Sequence, residues 1–391
     1  MSAFMLPPLW SSNSGRRRRA SVSVLTEGED TEVSKEIERY FLRQVREKVL
    51  DSGRNALEES LYMAGNVLGT APSTQRKLKR PEDLADRNSV FVKAGFPTMK
   101  VHCKICEAEE GSARGWDGLM LHGMLGSTFT YRRIQPLLAS RMRGKLASMD
   151  LPGFGLTERP NLLTWRLLSR DSPYTPGHAE ELTRQVMAKL KLTNSVLFGH
   201  SMGAPVALSA ALNGAPVSGL VLFSPAVKIQ QVPFMKQFMN TFLTVPWVGR
   251  RAVRKSMEKA VEGDRIYHMI KRNFHDLNRI PLEETIDGYT RPLRVHDWDS
   301  GLQQYYLNFD GFNLLEDPRI KRLNIPVLII SGEHDRVLHT NDMDALSKAL
   351  PNSKFHVLPD CGHIPQEEKP LETYSLIEEW LESLPVPRFG S

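Results

Sequence analysis

Strand-sized apolar runs alternate with helical patterns from residue 119 onward, and this alternation limits the fold more than any other feature. The runs that predict strands are 119–121, 145–149, 196–198, 220–223, 327–330 and 355–358. The helical patterns between or after them are 131–141, 178–190, 202–212, 342–350 and 371–384. Such alternation is typical of a mostly parallel sheet with helices on both faces, so the predicted fold class is α/β.

One long interval interrupts the alternation. Residues 229–317 contain no convincing strand and several helical stretches, which predicts a helical lid inserted into the core. The core is then divided into a first part, 89–228, and a second part, 318–391.

The chain before the core has a different composition. Its first 26 residues contain no acidic residue, several serines and the arginine run 16–19. A basic segment without a long apolar stretch resembles an organelle transit peptide more than a secretory signal. We therefore expect 1–28 to be a transit peptide or a disordered basic tail. Residues 29–88 are expected to form a helical extension and a linker, with apolar residues at helical spacing in 32–50.

The three cysteines form no recognisable framework. An odd number without framework spacing argues against a disulfide scaffold. Cys103 and Cys106 make a CxxC pair, but the residues around them alternate as in a strand, which places the thiols on opposite faces. No second pair completes a zinc site, so we predict structural thiols and no bound metal.

The positive charge is concentrated in one segment. The net charge is +6, and residues 228–294 hold 13 lysines and arginines against 7 acids, a surplus equal to the whole excess. Nucleic acid is one partner for such a patch, but the segment has no helix-turn-helix, zinc-finger or RNP pattern. We therefore expect no nucleic-acid partner. The apolar runs are also far shorter than the roughly 20 residues of a membrane-spanning helix.

The sequence Gly199-His200-Ser201-Met202-Gly203 reads GxSxG between a predicted strand and a predicted helix. In that context the motif indicates a nucleophile elbow, a strained turn that lifts a serine hydroxyl off the sheet. Taken alone, Ser201 can also be read as a helix N-cap. A nucleophilic serine needs a base, and the base needs an orienting carboxylate.

Candidates for both partners follow the last two predicted strands. Asp335 comes just beyond the next-to-last strand, and His363 just beyond the last one. Because the carboxyl ends of parallel strands form one rim of a sheet, these side chains should meet Ser201 there. Separately they read as a turn aspartate and a loop histidine, but together they predict a catalytic triad. Weaker candidates nearby are Glu333, His334 and His339.

Two backbone N–H groups are predicted to form an oxyanion hole. Acyl transfer develops negative charge on a carbonyl oxygen, which such donors stabilise. The residue after the nucleophile is Met202, at the start of a predicted helix. The second N–H is expected from Met124, since His122 and Gly123 directly follow a predicted strand.

Five stretches together resemble the α/β-hydrolase superfamily, near its lidded esterase, lipase and C–C hydrolase branch. They are LHGMLGS, DLPGFGLTERP, GHSMGA, GEHDRV and GHIPQEEKP, and the resemblance covers about 89–391. It implies the α/β-hydrolase fold and a loop containing Asp150, Gly153 and Gly155 that shapes the sheet and the pocket. Haloalkane dehalogenases and epoxide hydrolases carry an aspartate where Ser201 stands, so the resemblance excludes them.

The motifs and the resemblance together predict a cofactor-independent serine hydrolase that cleaves a carboxylic ester, of a hydrophobic or lipid-like substrate. His363 would act as base and then as acid, while Asp335 holds its tautomer. A small-molecule receptor with slow hydrolysis, similar to the strigolactone and karrikin receptors, is one alternative. A C–C bond hydrolase is another, because a triad alone does not separate it from an esterase. The acyl chain length and the oligomeric state stay open.

The predicted lid suggests a further partner. Residues 233–248 are dense in Phe, Met, Leu, Val and Trp. The cations that follow are Arg250, Arg251, Arg254, Lys255 and Lys259. An apolar segment joined to a basic helix is attracted to an anionic lipid surface. Two interpretations stay open: peripheral membrane contact, or an apolar roof over the pocket with solvated cations.

A transit-like leader before such a domain is similar to plastid hydrolases of plants and algae. We expect an organelle location, chloroplast before mitochondrion, with the cytoplasm as the alternative. Import should remove the leader before the acidic stretch that begins near Glu27. Mass spectrometry of the native protein measures this directly, and an intact N-terminus would contradict the transit-peptide interpretation.

Overall fold

Eight of ten strands form the central sheet in this computed structural model, which describes residues 78–108, 115–160, 165, 169, 171–229 and 246–384. The strands are β1 (Ser89–Ala94), β2 (Met99–Glu107), β3 (Asp117–Leu121), β4 (Lys145–Met149), β5 (Ser195–His200), β6 (Val217–Phe223), β7 (Lys228–Ile229), β8 (Phe312–Asn313), β9 (Val327–Gly332) and β10 (Ser353–Leu358). The predicted leader and N-terminal helix, and most of 233–248, lie outside the described residues.

The sheet order is β1-β2-β4-β3-β5-β6-β9-β10. The six neighbours β4-β3-β5-β6-β9-β10 pair in parallel. At one edge, β2 pairs antiparallel with both β1 and β4. This confirms the predicted mostly parallel α/β sheet. Strand β1 was not predicted, because as a half-exposed edge strand it lacks a continuous apolar run.

The helices are α1 (Gln135–Met142), α2 (Pro176–Lys189), α3 (Gly203–Leu212), α4 (Pro246–Ala260), α5 (Arg265–Asn273), α6 (Leu282–Thr290), α7 (Trp298–Asn308), α8 (Thr340–Ala349), α9 (Pro365–Glu368) and α10 (Pro370–Glu382). Five of them correspond to the predicted helical patterns. The first pattern, 131–141, is divided into a 3-10 turn (Thr128–Tyr131) and α1.

The two faces of the sheet bury separate apolar clusters. Leu119 and Leu121 lie in one cluster, and Met120 between them lies in the other, as strand alternation requires. Cys103 belongs to the first cluster, while Cys106 packs against the second, and both thiols are free. The prediction that these thiols point to opposite faces is confirmed.

The inserted segment is closed at its base by a short strand pair. Lys228 pairs with Asn313, and Ile229 with Phe312, in an antiparallel ladder. Helices α4 to α7 lie between these ends. The expectation that 229–317 contains no strand is therefore wrong at its two ends, where two-residue strands are too short to produce an apolar pattern.

A buried carboxylate joins helix α4 to helix α7. Asp299 has a side chain only 2% exposed, and it accepts hydrogen bonds from Arg250 at 2.9 Å and from Arg254 at 2.7 Å. Burial by itself raises the pKa of Asp299, but the two guanidinium groups outweigh it and lower the pKa. Two of the cations expected to meet either lipid or solvent, Arg250 and Arg254, thus form ion pairs with a buried carboxylate instead. Arg251, Lys255 and Lys259 are exposed.

Within the described residues, none of the helices has the length and apolar character needed to cross a membrane.

Candidate active site

The predicted site residues follow the carboxyl ends of four parallel strands. Met124 lies three residues beyond β3, and Ser201 directly follows β5. Asp335 and His363 lie in the loops after β9 and β10. Because these strands run in the same direction, the loops share one edge of the sheet.

Ser201 occupies a strained turn. Its φ is +50°, a left-handed conformation that non-glycine residues rarely adopt. The turn is held by its own backbone: the Ser201 N–H donates to the Phe223 carbonyl at 2.9 Å. The Ser201 carbonyl accepts from Ala204 and Ala226, each at 3.1 Å. The strain is therefore fixed by hydrogen bonds, as at a nucleophile elbow.

Three glycines leave the space that this turn needs. A Cβ at Gly203 would lie 2.2 Å from the Leu121 carbonyl oxygen, and one at Gly199 would lie 2.5 Å from the Cα of Ala204. A Cβ at Gly123 would lie 2.8 Å from the Cβ of Ser201. The loop after β3 therefore lies against the serine, and no side chain fits between them.

Asp335 and His363 are in direct contact. Oδ2 of Asp335 lies 2.7 Å from Nδ1 of His363, and the Asp335 side chain is fully buried. Oδ1 accepts from the amides of Val337 at 2.8 Å and Leu338 at 2.9 Å. Burial alone raises the pKa of Asp335, but His363 and these amides outweigh it, so the pKa is lowered. An ionised Asp335 accepts the Nδ1 proton, which leaves Nε2 of His363 as a proton acceptor. Glu333, His334 and His339 make no contact of this kind within the described residues.

Two further buried histidines hold the surrounding loops. Nε2 of His200 lies 3.0 Å from the carbonyl oxygen of His363, so it donates there. Burial and the neighbouring His363 lower the pKa of His200 to about 3, and its ring is neutral. Nε2 of His122 accepts from the Leu151 amide at 3.0 Å, so its Nδ1 carries the proton and donates to the Gly123 carbonyl at 2.7 Å. His122 thereby fixes the backbone just before Met124.

The two predicted oxyanion donors lie beside one cavity. Met202 immediately precedes α3, and Met124 follows Gly123. Neither amide donates to an acceptor among the described residues. Both residues line a cavity of about 300 Å³. Its aromatic lining consists of Phe154, Tyr174, Tyr305, Phe309 and Phe312.

Sequence reasoning did not identify Glu368 as a site residue. Its carboxylate accepts from the amides of Gly362 at 2.7 Å, His275 at 2.9 Å and Asp276 at 2.7 Å. It therefore binds the loop of His363 to the lid segment after α5. The only signal in the sequence was its place in GHIPQEEKP, five residues after His363.

Comparisons with known proteins agree with this geometry. Residues 119–370 match the family model described as the alpha/beta hydrolase fold. The chain is 30% identical to the uncharacterized hydrolase YugF of Bacillus subtilis, over 64% of this chain and 84% of that protein. It is 23% identical to the sn-1-specific diacylglycerol lipase ABHD11 of Danio rerio, over 68% of this chain and 78% of that protein.

A solved structure shows the same fold. A thermophilic esterase from Thermogutta terrifontis superimposes with a TM-score of 0.57 at 21% identity, covering 76% of this chain and 99% of the esterase. At this identity the likeness establishes the architecture, so the chemistry has to be argued from the residues.

Gly203→Ala should destabilise the protein by about 3 kcal/mol, because the added methyl group meets the Leu121 carbonyl in a packed interior. Gly177→Ala is the matched control, since Gly177 also lies in the first turn of a helix and a methyl group added there would meet nothing within 4 Å. That change should be neutral or stabilise by roughly 0.5 kcal/mol. Urea unfolding of both variants measures the difference, and equal stabilities would contradict the close approach at Gly203.

Proposed function

This chain belongs to the α/β-hydrolase fold family, and we propose that it is a serine hydrolase that cleaves a carboxylic ester of a hydrophobic substrate. The observation that carries the proposal is the buried 2.7 Å contact between Asp335 and His363, on the same sheet edge as the strained turn at Ser201. These are the parts of a nucleophile, a base and an orienting carboxylate.

The chemistry follows from the hydrogen-bond pattern. Nε2 of His363 takes the proton of Ser201 as Oγ attacks the ester carbonyl carbon. The carbonyl oxygen becomes an oxyanion, which the N–H groups of Met124 and Met202 stabilise. His363 then gives its proton to the departing alkoxide, which leaves as the alcohol. Water, deprotonated by His363, then attacks the carbonyl carbon of the acyl-enzyme. The bond to Oγ of Ser201 breaks, Oγ takes the proton back from His363, and the carboxylic acid is released.

The cavity supports a hydrophobic substrate. Its volume of about 300 Å³ is at the lower end of the range for small-molecule pockets, roughly 300–1,000 Å³. Tyr305 packs on Phe154 with ring centroids 4.7 Å apart and on Phe309 at 5.8 Å, which makes one wall aromatic. An acyl chain next to Met124 and Met202 would lie against this wall. The diacylglycerol lipase among the relatives is named for an ester substrate of this hydrophobic kind.

A peripheral contact with anionic lipid is a separate part of the proposal. Arg251, Lys255 and Lys259 are spaced four residues apart on α4, so they lie on one exposed face. The opposite face of α4 buries Val253 and Met257 in the protein core. Attraction through α4 itself is therefore electrostatic, and salt should weaken it.

Ser201→Ala should lower p-nitrophenyl ester turnover by roughly three to six orders of magnitude, because the nucleophile is lost. Labelling by a fluorophosphonate should also disappear, while the thermal unfolding midpoint stays close to that of the unmodified protein. Retained turnover or labelling would contradict the assignment of Ser201. If the unmodified chain is labelled by the fluorophosphonate but completes only a single turnover of ester, that result would favour the receptor alternative.

Phe309→Ala should shift the preferred p-nitrophenyl ester toward longer acyl chains, because removal of the ring extends the cavity. Phe96→Ala is the matched control, since Phe96 is 80% exposed and outside the cavity. The measurement is kcat/KM across a series of chain lengths. An unchanged profile in Phe309→Ala would mean that the cavity does not hold the acyl chain.

Changing Arg251, Lys255 and Lys259 together to glutamate should abolish co-sedimentation with vesicles that contain anionic lipid. The control changes Lys93, Lys189 and Lys354 to glutamate, because these three are exposed and the net charge changes equally. Arg250 and Arg254 are left intact because they neutralise Asp299. Equal binding to neutral and anionic vesicles, or equal loss in both triple variants, would contradict specific contact through α4.

A further inference from the structure

Two histidines and an aspartate from distant parts of the chain meet beside the proposed active site. They are His275, His334 and Asp360, and their ligand atoms lie within 4.8 Å of one another. Nε2 of His334 is 3.9 Å from Oδ1 of Asp360. The nearby Glu333 places Oε2 3.7 Å from the same His334 nitrogen. No spacing in the sequence indicated this group, because its members are separated by 59 and 26 positions.

The backbone around this group is already fixed. The His334 amide donates to the Cys361 carbonyl at 2.8 Å, and the Asp360 amide donates to Glu333 at 3.4 Å. The His275 amide is bound by Glu368 at 2.9 Å. Backbone amides and the carboxylates of Glu333 and Glu368 therefore hold the three loops together, and the side chains of His275, His334 and Asp360 take no part in these contacts.

The side chains are only partly satisfied. Nδ1 of His275 is buried and has no hydrogen-bond partner among the described residues. The rings of His275 and His334 stack with centroids 4.0 Å apart and an interplanar angle of 16°. The His334 and Asp360 side chains are 42% and 62% exposed, which leaves them free to turn.

The donor set selects a class of ion. Imidazole nitrogen with carboxylate oxygen suits zinc and similar divalent transition metals, whereas calcium and magnesium prefer oxygen alone. Tetrahedral zinc holds its ligand atoms roughly 3.3 Å apart, so separations of at most 4.8 Å must shrink by no more than about 1.5 Å. The nearly parallel rings of His275 and His334 direct their nitrogen lone pairs side by side and not toward one common point. One imidazole must therefore rotate to bind the ion, and the exposed His334 ring can do so.

We propose that His275, His334 and Asp360 bind a divalent transition-metal ion such as zinc. His275 belongs to the lid, His334 precedes Asp335, and Asp360 lies three residues before His363. The bound ion would therefore join the lid to both loops that carry the acid and the base. Binding only the folded state, it would raise the thermal unfolding midpoint.

Isothermal titration of the tag-free, chelator-treated full chain with zinc chloride tests this proposal. We expect one saturable site, at least roughly ten-fold weaker in His275→Asn, His334→Asn and Asp360→Asn. His339→Asn is the matched control, because His339 is exposed in the same loop as His334 and outside the group. Asp360→Asn preserves the fold, since asparagine tolerates the φ of +46° at this position.

Differential scanning calorimetry gives a second readout. Zinc should raise the unfolding midpoint of the unmodified chain and of His339→Asn, but not of the three ligand variants. Unchanged zinc affinity in all three ligand variants would overturn the proposal, since the ion would then bind elsewhere, for example at His363. Calcium binding as tight as zinc, or no zinc binding at about 1 mM, would overturn it as well.

Discussion

The structure depends on the close approach of three backbone segments at Ser201. The loop after β3, the turn after β5 and the start of α3 meet where a Cβ at Gly203 would lie 2.2 Å from the Leu121 carbonyl oxygen. This approach allows the N–H groups of Met124 and Met202 to lie beside one cavity. It also holds Ser201 at φ +50°, because its amide and carbonyl are already bonded to neighbouring segments. The strain at the serine is compensated by the packing around it.

A further buried carboxylate, Asp150, holds the segment that follows β4, in which Leu151, Pro152 and Phe154 line the cavity. Asp150 accepts from the amides of Thr128 and Leu156, each at 2.6 Å, and lies 2.7 Å from Nδ1 of His102. Burial alone raises the pKa of Asp150, but His102 and the amides outweigh it and lower the pKa to about 2. The carboxylate therefore remains ionised and connects its own loop to strand β2 and to the turn that begins at Thr128. Gly155 leaves room for this carboxylate, since a Cβ there would lie 1.9 Å from Oδ2 of Asp150, and the pocket-shaping role that the resemblance implies for Asp150, Gly153 and Gly155 stays a prediction.

The parts that sequence reasoning could predict are those that a local pattern encodes. The central strands are buried on both faces and read as apolar runs, whereas β1 at the edge and the two-residue strands β7 and β8 do not. The GxSxG motif is a local pattern too, because its two glycines indicate a turn that is too tight for side chains on either side of the serine. In contrast, the pairing of Arg250 and Arg254 with Asp299 and the clamp formed by Glu368 join residues more than 40 positions apart. Such contacts depend on the tertiary fold, so no window of the sequence contains them.

Buried charge also restricts how the lid can move. Glu367 is fully buried and is bound by Arg132 and by the hydroxyl of Tyr289 in α6, while Asp299 holds α4 to α7. Swinging the lid away as one body would keep the ion pairs of Asp299, because their partners also lie in the lid. It would break the hydrogen bond from Tyr289 to Glu367 and those from the His275 and Asp276 amides to Glu368. Since Glu368 further connects the lid to the loop of His363, such a motion would also displace the base. Local movement near the exposed residues Asp310 and Gly311, which line the cavity and precede β8, would leave all of these contacts in place.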